Sequence, residues 1–375
     1  MTNHQTPRTA ILEQIPAPLL RWYHSQARIL PWREHPSPYR VWISEIMLQQ
    51  TRVAAVIPYF ERFMAALPDV RHLAEIDETA LLKLWEGLGY YSRARNLQKA
   101  AQQILQQHNG IIPADFDTLL TLPGIGRYTA GAISSIAYGE KNPAVDGNVL
   151  RVVMRLLACR DDILKEKTKR QVENQLRLIM PEAPESGNFN QALMELGATL
   201  CLPGQSAHCP SCPLQKLCLA WAENCTAEYP HKAPKKPRRI ENRTILILEK
   251  AGKLAIHKRP DTGLLSGLWE LPGLENWPPP KDILSALKLR NEDILSMESL
   301  PPAVHVFSHL EWHMHGWRIR LRTEHEASSV GGKEVLENYF PGLLWLTPRE
   351  IVTIYSIPSA FNYYISKMQQ EYFIF

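Results

Sequence analysis

Two carboxyl groups in contrasting sequence contexts are the side chains best suited to do chemistry in this chain. Glu45 lies within VWISEIMLQQT, and its apolar neighbours predict burial that raises its pKa and keeps it protonated near neutral pH. Buried glutamates are rare unless paired, which favours a functional interpretation. Asp146 stands in AVDGNVLRVVMRLL ahead of an apolar helical run, where a helix N-cap is the simpler explanation. Together, one protonated and one ionised carboxyl group suit the cleavage of a glycosidic bond.

Four of the six cysteines lie close together in CLPGQSAHCPSCPLQKLC, as Cys201, Cys209, Cys212 and Cys218. Seven, two and five residues separate them in turn. The N-terminal residues contain no apolar core of a signal peptide, so we expect a non-secreted protein in a reducing compartment. There, such a cluster indicates a metal site rather than disulfides. Four thiolates bind either a tetrahedral zinc or a [4Fe–4S] cluster, and the spacing alone favours neither; a loop without metal is the less favoured alternative.

A glycine-rich turn in LPGIGRYTAGAI, residues 122–133, joins two helical runs. Gly124 and Gly126 leave backbone N–H groups uncovered at the positive end of the second helix, which favours a phosphate. This pattern is typical of a DNA-binding helix-hairpin-helix, although an isolated GxG also forms ordinary turns between helices. Tyr128 follows the second glycine by two positions, so chemistry at this point involves a phenol and not an amine.

The elements that carry these residues are predicted to be helical from Ile11 to about Cys225. Apolar side chains at three- and four-residue steps predict one buried helix face, formed by Val53, Val56, Ile57, Phe60, Phe63, Met64 and Leu67. Further helices are predicted within 81–110 (two, split by glycines, the second with Ser92 as N-cap and Gly110 as stop), at 118–121 and at 129–138. The first part of the chain is therefore predicted to be all-α.

A change of composition at Thr226–Arg239 marks a second part. This stretch, TAEYPHKAPKKPRR, holds three prolines and five lysines or arginines, which predicts a stiff, exposed connector with some affinity for phosphates. Beyond it, alternating apolar residues predict strands, and 283–289 and 359–368 are predicted to be helical. We therefore predict a helical domain at 8–225, a linker at 226–239 and a mixed α/β domain at 240–368.

Length and charge limit the function classes without selecting one. A chain of 375 residues is long enough for two or three domains. A formal net charge of +4 is compatible with a polyanionic partner but does not require one. No stretch approaches the ~18 apolar residues of a membrane span, so we expect a soluble protein with no membrane partner.

The motifs and their order resemble a known enzyme superfamily. A helix-hairpin-helix, an aspartate ahead of a helix and a four-cysteine loop look like the helix-hairpin-helix/Gly-Pro-Asp DNA glycosylases that carry an iron–sulfur cluster. Within it, SEIMLQQT, GLGYYSRARNL, LPGIGRYTAGAI, AVDGNVLRV and FNQALMELGA resemble the MutY-type adenine DNA glycosylases. The resemblance covers most of the chain and implies a [4Fe–4S] cluster rather than zinc. The family loop usually has six residues between its first two cysteines; this chain has seven, so we expect a bulge there.

The resemblance also implies catalytic roles. Glu45 is expected to protonate N7 of an extruded adenine, and Asp146 to stabilise the cationic sugar, with or without a transient covalent bond. Asn148, and Arg33 in LPWREH, are expected to support them. Related bifunctional glycosylases have a lysine where this chain has Tyr128, and tyrosine cannot form the Schiff base that leads to strand cleavage. Tyr128 is expected to hold Asp146 and the substrate in place.

By the same resemblance, several residues are expected to contact double-stranded DNA. Gln50, in LQQT, is expected to fill the stack where the base leaves, a step that costs least at a mispair. The residues expected around the opposite base are Thr51, Leu88 and Tyr90. For Leu88 and Tyr90 the simpler alternative is a core turn between helices. Arg93 and Arg95 are expected at phosphates or in solvent rather than in the chemistry.

The second part of the chain begins with GLLSGLWELPG, residues 263–273, which resembles the opening of a Nudix fold. A catalytic Nudix helix should follow with an Arg-Glu pair and clustered glutamates for magnesium, but LENWPPPKDILSALKLR has no such cluster. We therefore expect a fold retained for recognition, without pyrophosphate hydrolysis.

A hairpin motif in this part provides the expected reader of the opposite base. Phe307, Ser308 and His309 match the loop with which MutY-type proteins read 8-oxoguanine, with Ser308 as the specific contact. The alternative is a metal site formed by four histidines predicted on one strand face, namely His305, His309, His313 and His315. No carboxylate or cysteine pattern supports that alternative.

The leading hypothesis is thus a monofunctional base excision repair glycosylase that removes adenine paired with 8-oxoguanine or guanine and leaves an abasic site. The alternatives are a bifunctional endonuclease III-like glycosylase and lyase, a non-catalytic damage-binding protein and a Nudix pyrophosphatase. We expect a monomer in the bacterial cytoplasm, associated with the nucleoid.

Overall fold

The structure is a computed structural model that describes residues 6–234, 237–323 and 332–372. It divides into two compact units that are not contiguous in sequence. The first unit consists of Met1–Ile76 and Arg95–Pro234, and the second of Asp77–Ala94 and Lys235–Phe375. The predicted linker at 226–239 lies partly outside the described residues, at 235 and 236. No helix of the described part is long and apolar enough to cross a membrane.

The first fourteen helices lie in the chain before the linker. They are α1 (Thr6–Glu13), α2 (Pro16–Gln26), α3 (Pro31–Glu34), α4 (Pro38–Leu48), α5 (Val53–Ala66), α6 (Val70–Glu75), α7 (Glu78–Leu84), α8 (Ser92–His108), α9 (Phe116–Leu120), α10 (Arg127–Ala132), α11 (Gly147–Leu156), α12 (Glu166–Ile179), α13 (Glu185–Thr199) and α14 (Leu219–Ala222). A short π-helix, Ile133–Ala137, continues α10. Of these helices, α7 and the first residues of α8 belong to the second unit.

The predicted apolar periodicity of α5 is confirmed, because Val56, Phe60, Phe63 and Leu67 are buried. The predicted boundaries were less accurate. Ser92 is the first residue of α8 rather than its N-cap. The helix predicted at 118–121 begins earlier, since the Asp115 side chain accepts a hydrogen bond from the Thr118 amide and caps α9.

Two helices, α11 and α13, form the centre of the first unit. Their buried apolar side chains belong to one hydrophobic cluster that also includes α2 and α12. At Gly197 the two helices approach so closely that an added Cβ would lie 2.6 Å from Asn148 Cβ. A glycine is therefore required at this crossing.

The second unit is built on a seven-stranded sheet. Its strands are β1 (Arg239–Lys250), β2 (Lys253–Lys258), β3 (Trp269–Glu270), β4 (Gly273–Glu275), β5 (Ile294–Val306), β6 (Leu310–Leu321) and β7 (Leu344–Leu346). The order is β3-β2-β1-β6-β5, with β4 paired to β1 and β7 to β2. Only β1 and β6 pair in parallel among the described strands.

Alternation along β1 places apolar side chains on both faces of this sheet. Ile245 and Ile247 belong to one hydrophobic cluster, and Leu246 and Leu248 to another. The helices of this part are α15 (Pro280–Ala286), α16 (Gly332–Tyr339), α17 (Pro348–Ile354) and α18 (Asn362–Tyr372). The predicted order, an all-α part followed by a mixed α/β part, is confirmed.

Candidate active site

A cavity of about 710 Å³ lies in the first unit and brings together all five predicted catalytic residues. They are Arg33, Glu45, Tyr128, Asp146 and Asn148. These residues come from α3, α4, α10 and the beginning of α11. The predicted DNA-contact residues Gln50 and Thr51 also line it. This cavity is therefore the candidate active site.

Glu45 lies on α4 and is only 6% exposed. Its pKa is raised from an ordinary 4.5 to about 7, chiefly by burial and to a smaller extent by the charge of Asp146. A hydrogen bond from Tyr128 and the charge of Arg33 oppose the shift. A carboxyl group with this pKa is partly protonated at neutral pH, as a general acid requires.

Tyr128, on the first turn of α10, donates a hydrogen bond from its hydroxyl to Glu45 Oε2. The same hydroxyl lies 3.5 Å from the Sδ atom of Met194. Burial, with the nearby charge of Glu45, raises the pKa of Tyr128 well above its ordinary value. The phenol therefore stays protonated and acts as a donor to Glu45.

Asp146 is the N-cap of α11, as the simpler interpretation predicted. Its carboxylate accepts hydrogen bonds from the Val149 amide at 2.7 Å and from Asn148 Nδ2 at 2.8 Å. Burial raises the pKa of Asp146, while these bonds hold it down because they favour the ionised form. Capping and a place in the cavity are compatible, since the carboxylate that caps the helix also lines the cavity.

Asn148 is held from the opposite side by a buried arginine. Arg151 Nη2 donates to Asn148 Oδ1 at 2.8 Å and to the Gly197 carbonyl at 2.8 Å. Its Nε donates to the Cys201 carbonyl at 2.7 Å. One side chain thus joins the beginning of α11 to the end of α13 and to the start of the cysteine loop.

An ion cluster at the cavity wall escaped the sequence analysis. Glu195, 1% exposed, accepts two hydrogen bonds from the Arg28 guanidinium (2.5 and 2.9 Å) and one from Arg33 Nη2 (2.9 Å). Arg33 also donates to the Arg28 carbonyl at 3.2 Å. A signal was present, because Glu195 stands between apolar residues in FNQALMELGA just as Glu45 does in its own helix. The cluster fixes Arg33 where its charge acts on Glu45.

The predicted phosphate-binding and stack-filling residues lie at helix ends. Gln50 is exposed just after α4, in a left-handed backbone conformation (φ +58°). Gly124 also has a positive φ (+77°), and Gly126 is the N-cap of α10 with nothing within 4 Å of an added Cβ. The space before α10 is thus open to an approaching group.

Leu88 and Tyr90 belong to the second unit. Leu88 is buried, as the core-turn alternative predicted, whereas Tyr90 is 47% exposed with φ +47°. Arg93 is partly exposed and does not line the cavity, and its guanidinium donates to the carbonyls of Leu88 (2.8 Å) and Gly89 (3.1 Å), so its expected contact with phosphates or solvent stays a prediction. The guanidinium turns towards these carbonyl oxygens because they accept hydrogen bonds from a cationic donor. Arg95 is half-buried.

Phe307, Ser308 and His309 form the tip of the β5–β6 hairpin. Phe307 packs edge-on against Trp312, with ring centroids 5.0 Å apart. Ser308 and His309 are exposed, and Ser308 Oγ lies 3.3 Å from His309 Nδ1. The exposed polar side chains of Ser308 and His309 therefore lie next to packed aromatic rings at the hairpin tip.

The placement of four histidines on one strand face is wrong. His305 pairs with Trp312 across the hairpin, whereas His313 pairs with Val304, so the two histidines lie on opposite faces. In the described residues no group of three or more histidine, cysteine or acidic side chains is placed so that it could hold a metal ion, and this holds for the four cysteines as well as for the histidines. The histidine metal site is therefore not supported.

The four cysteines follow α13 in a loop with two short 3₁₀ turns, at Cys209–Ser211 and Gln215–Leu217. Burial and the neighbouring thiols raise the pKa values of Cys209, Cys212 and Cys218. Cys201 Sγ accepts a hydrogen bond from the buried Arg155 at 3.4 Å. By donor type, four thiols in one loop, one of them beside a buried cation, match an anionic thiolate cluster, which stays a prediction.

Two family models match the chain. Residues 43–181 match the HhH-GPD superfamily of base excision DNA repair proteins, and residues 243–367 match the NUDIX domain. The expected fold, a helical glycosylase domain followed by a Nudix-like domain, is thereby confirmed. The two matched ranges are shorter than the predicted domains at 8–225 and 240–368, so these domain limits stay predictions.

Individual relatives agree with these matches. The chain is 34% identical over 397 residues to the adenine DNA glycosylase of Homo sapiens, which covers 89% of this chain and 70% of that protein. It is 36% identical over 306 residues to the adenine DNA glycosylase of Buchnera aphidicola subsp. Acyrthosiphon pisum (strain APS), covering 81% and 85%. Among solved structures, a trapped endonuclease III–DNA covalent intermediate matches with a TM-score of 0.50 at 28% identity, over 60% of this chain and 99% of that one.

Proposed function

The chain belongs to the adenine DNA glycosylases, and from this premise we propose that it removes adenine paired with 8-oxoguanine or guanine by hydrolysis alone, leaving an abasic site. As a member of this family it is a base excision repair enzyme that acts on adenine in DNA. The observation that carries the finer proposal is the hydrogen-bonded pair of Glu45 and Tyr128, because it supplies an acid and has a phenol where the bifunctional relatives are expected to have an amine.

Glu45 is proposed as the general acid. A flipped adenine in the cavity leaves more readily when N7 accepts a proton, since the base then departs as a neutral molecule. The pKa of about 7 supports this role, because a substantial fraction of Glu45 holds a proton at neutral pH and releases it without a large energetic cost. Arg33, fixed by Glu195, limits how far that pKa rises.

Asp146 is proposed to face the cationic sugar that forms as the base leaves. Two hydrogen bonds keep its carboxylate oriented, one of them from Asn148. An ionised carboxylate in a site with little water stabilises an oxocarbenium ion strongly, since the charges are poorly screened. Water then completes the hydrolysis at the sugar.

Tyr128 separates this proposal from the bifunctional alternative. A lyase step needs an amine that forms a Schiff base with the sugar, and the phenol of Tyr128 provides none. Lys169 also lines the cavity, so the distinction requires a direct test. We propose that Tyr128 donates its hydrogen bond to Glu45 and helps hold the substrate against Asp146.

The opposite base is proposed to be read by the second unit. Ser308 at the hairpin tip supplies an exposed hydroxyl for 8-oxoguanine, flanked by Phe307 and His309. Leu88 and Tyr90 are proposed to lie beside the same base. The remaining proposed DNA contacts are Gln50 and Thr51 at the vacated stack, and the amides after Gly124 and Gly126 at a phosphate.

Cys201, Cys209, Cys212 and Cys218 are proposed to hold a [4Fe–4S] cluster. When bound, the cluster supplies a rigid cross-link of the loop and a one-electron redox centre. Arg155 holds this loop from the protein side, through the carbonyls of Leu202 (2.7 Å) and Gly204 (3.1 Å). We further propose a monomer that acts in the bacterial cytoplasm, with domain limits at 8–225 and 240–368.

The test is single-turnover cleavage of duplexes that contain A:8-oxoguanine, A:G or thymine glycol. We expect adenine release from the first two, strand breaks only after alkali, and no borohydride-trapped adduct. Trapping without alkali would instead establish the lyase alternative. Absence of base release from every duplex would favour a damage-binding protein, and magnesium-dependent hydrolysis of 8-oxo-dGTP would favour a pyrophosphatase.

A further inference from the structure

Residues Asp77–Ala94 form a compact unit with Lys235–Phe375, although in sequence they lie within the helical part of the chain. The segment contains α7 and the turn that carries Leu88 and Tyr90. Its polar side chains contact the stretch Val352–Ile357, at the end of α17. This docking places two of the residues proposed to read the opposite base in the same unit as Ser308.

Lys83 makes the first contact. Its Nζ donates to the carbonyls of Val352 at 2.5 Å and Tyr355 at 3.2 Å, and pairs with Glu86 Oε2 at 2.5 Å. The last carbonyls of a helix have no partner within it and carry a partial negative charge, which favours a cation. The Lys83 side chain is only 26% exposed, so solvent screens this contact less than it does an open surface pair.

Glu86 and Tyr91 complete the contact. Glu86 Oε1 accepts a hydrogen bond from the Ile357 amide at 3.2 Å, and Ser356 Oγ donates to Tyr91 Oη at 3.1 Å. Ser356 and Tyr91 are 3% and 7% exposed. Buried polar groups that lose their partners are costly, so the segment is specifically seated rather than loosely packed.

The turn on the docked segment is itself rigidly held. Arg93 donates to the carbonyls of Leu88 and Gly89, and its guanidinium lies 5.3 Å from the centre of the buried Trp85 ring. Tyr90 keeps a left-handed backbone conformation that residues with a Cβ rarely adopt. Such a conformation persists only where the surroundings impose it.

The stretch that receives the segment is continuous with the base of the β5–β6 hairpin. Ile351 and Ile357 belong to one hydrophobic cluster with Trp312, and Phe307 packs against that cluster. Tyr355, whose carbonyl Lys83 contacts, also packs there, against Trp269. A displacement of the docked segment therefore acts on the same cluster that supports Phe307 and Ser308.

We propose that Lys83, Glu86 and Tyr91 form a latch that fixes the Leu88–Tyr90 turn relative to the Phe307–His309 hairpin. Discrimination of the opposite base then depends on the three latch residues. These three are positioning residues, since they act through the turn and the hairpin. The inference rests on the proposed preference for adenine opposite 8-oxoguanine. The latch affects that preference and not the excision chemistry, because the residues proposed for excision lie in the first unit.

The experiment compares single-turnover adenine release from A:8-oxoguanine and A:G duplexes by the full-length, cofactor-loaded protein. Lys83→Met removes the donor and keeps the aliphatic chain, Lys83→Arg restores a cation, and Ser356→Ala removes one hydroxyl from the receiving side. Lys141→Met, which breaks the exposed Lys141–Glu182 pair elsewhere, is the matched control. Hydrogen exchange over 77–94 reports in the same samples whether the segment is released.

We expect Lys83→Met to lower the ratio of the two rates about three- to tenfold, the scale of one or two lost hydrogen bonds, with faster exchange over 77–94. Lys83→Arg should recover most of the ratio, and Lys141→Met should leave it unchanged. If Lys83→Met fails to fold, Ser356→Ala decides the matter by the same two readouts. Parent-like ratios in a variant with faster exchange would overturn the latch alone. A parent protein with equal rates on both duplexes would instead overturn the proposed function, and the latch with it.

Discussion

The hydroxyl of Tyr128 donates a hydrogen bond to the carboxyl group of the buried Glu45, and both side chains line one cavity. The bond lowers the pKa of Glu45 while burial raises it. The result is an acid whose pKa lies near 7, beside a phenol that stays protonated. The two residues are 83 positions apart in the chain, so the pair exists only because α4 and α10 pack together.

Glu45→Gln should abolish most base release. Glutamine keeps the size and hydrogen-bonding capacity of the side chain but cannot deliver a proton, so we expect single-turnover adenine release to fall about 10²- to 10⁴-fold. Glu75→Gln, on the exposed surface pair with Arg71, is the control. Retained binding to an uncleaved duplex would show that the variant folds, and a parent-like rate would refute the assignment of Glu45.

The rate should fall as the pH rises through about 7. The proton on Glu45 is present below its pKa and lost above it, so the single-turnover rate should have a descending limb centred near pH 7. Tyr128→Phe removes a bond that lowers this pKa, and the limb should move to higher pH. A limb that stays in place would show that Tyr128 does not set the acidity.

The same raised pKa predicts a stability effect. The unfolded chain releases the Glu45 proton near the ordinary 4.5, whereas the folded protein keeps it to about 7. The contribution of Glu45 to the free energy of unfolding is thus largest below 4.5 and is lost as the pH rises to about 7. Urea unfolding at several pH values should show a smaller loss over this interval in Glu45→Gln than in the parent.

Gly197→Ala should disturb the candidate active site indirectly, through the packing of α11 against α13. The added methyl group would lie 2.6 Å from Asn148 Cβ and 3.1 Å from its Cα, so α11 and α13 must separate. We expect a loss of about 1–3 kcal/mol in the free energy of unfolding, with slower adenine release. Gly126→Ala, where an added Cβ meets nothing within 4 Å, should unfold like the parent. Equal unfolding midpoints for both variants would contradict this account of the helix crossing.

Ser308→Ala should reduce discrimination more than chemistry. The hydroxyl lies exposed at a hairpin tip in the second unit, so its loss leaves Glu45 and Asp146 untouched. We expect the advantage of 8-oxoguanine over guanine as the opposite base to shrink several-fold, which corresponds to about 1 kcal/mol for one lost hydrogen bond. An equal loss of rate on both duplexes would count against a reading role for Ser308.

The cysteine loop should carry iron. Protein purified without oxygen should be brown, with about four iron atoms per chain, the content of one [4Fe–4S] cluster. Cys212→Ser should lose the colour and weaken DNA binding, because the loop then lacks its cross-link. Cys225→Ser, just beyond the loop, should keep the colour. A colourless parent that contains zinc would refute the cluster.

The sequence by itself indicated the helical and mixed parts of the fold, the buried position of Glu45 and the capping position of Asp146. Each depends on local information: apolar periodicity, flanking residues, or a capping side chain ahead of a helix. The hairpin tip with Ser308 and the turn with Gly124 and Gly126 were likewise visible in short motifs. What these motifs do in catalysis stays a proposal.

Only the tertiary structure decided which distant side chains meet. Glu195 meets Arg33 from 162 positions away, and Lys83 reaches Val352 across 269. Neither contact leaves a signal in periodicity or composition, because the partner of a charged side chain is determined by packing and not by spacing along the chain.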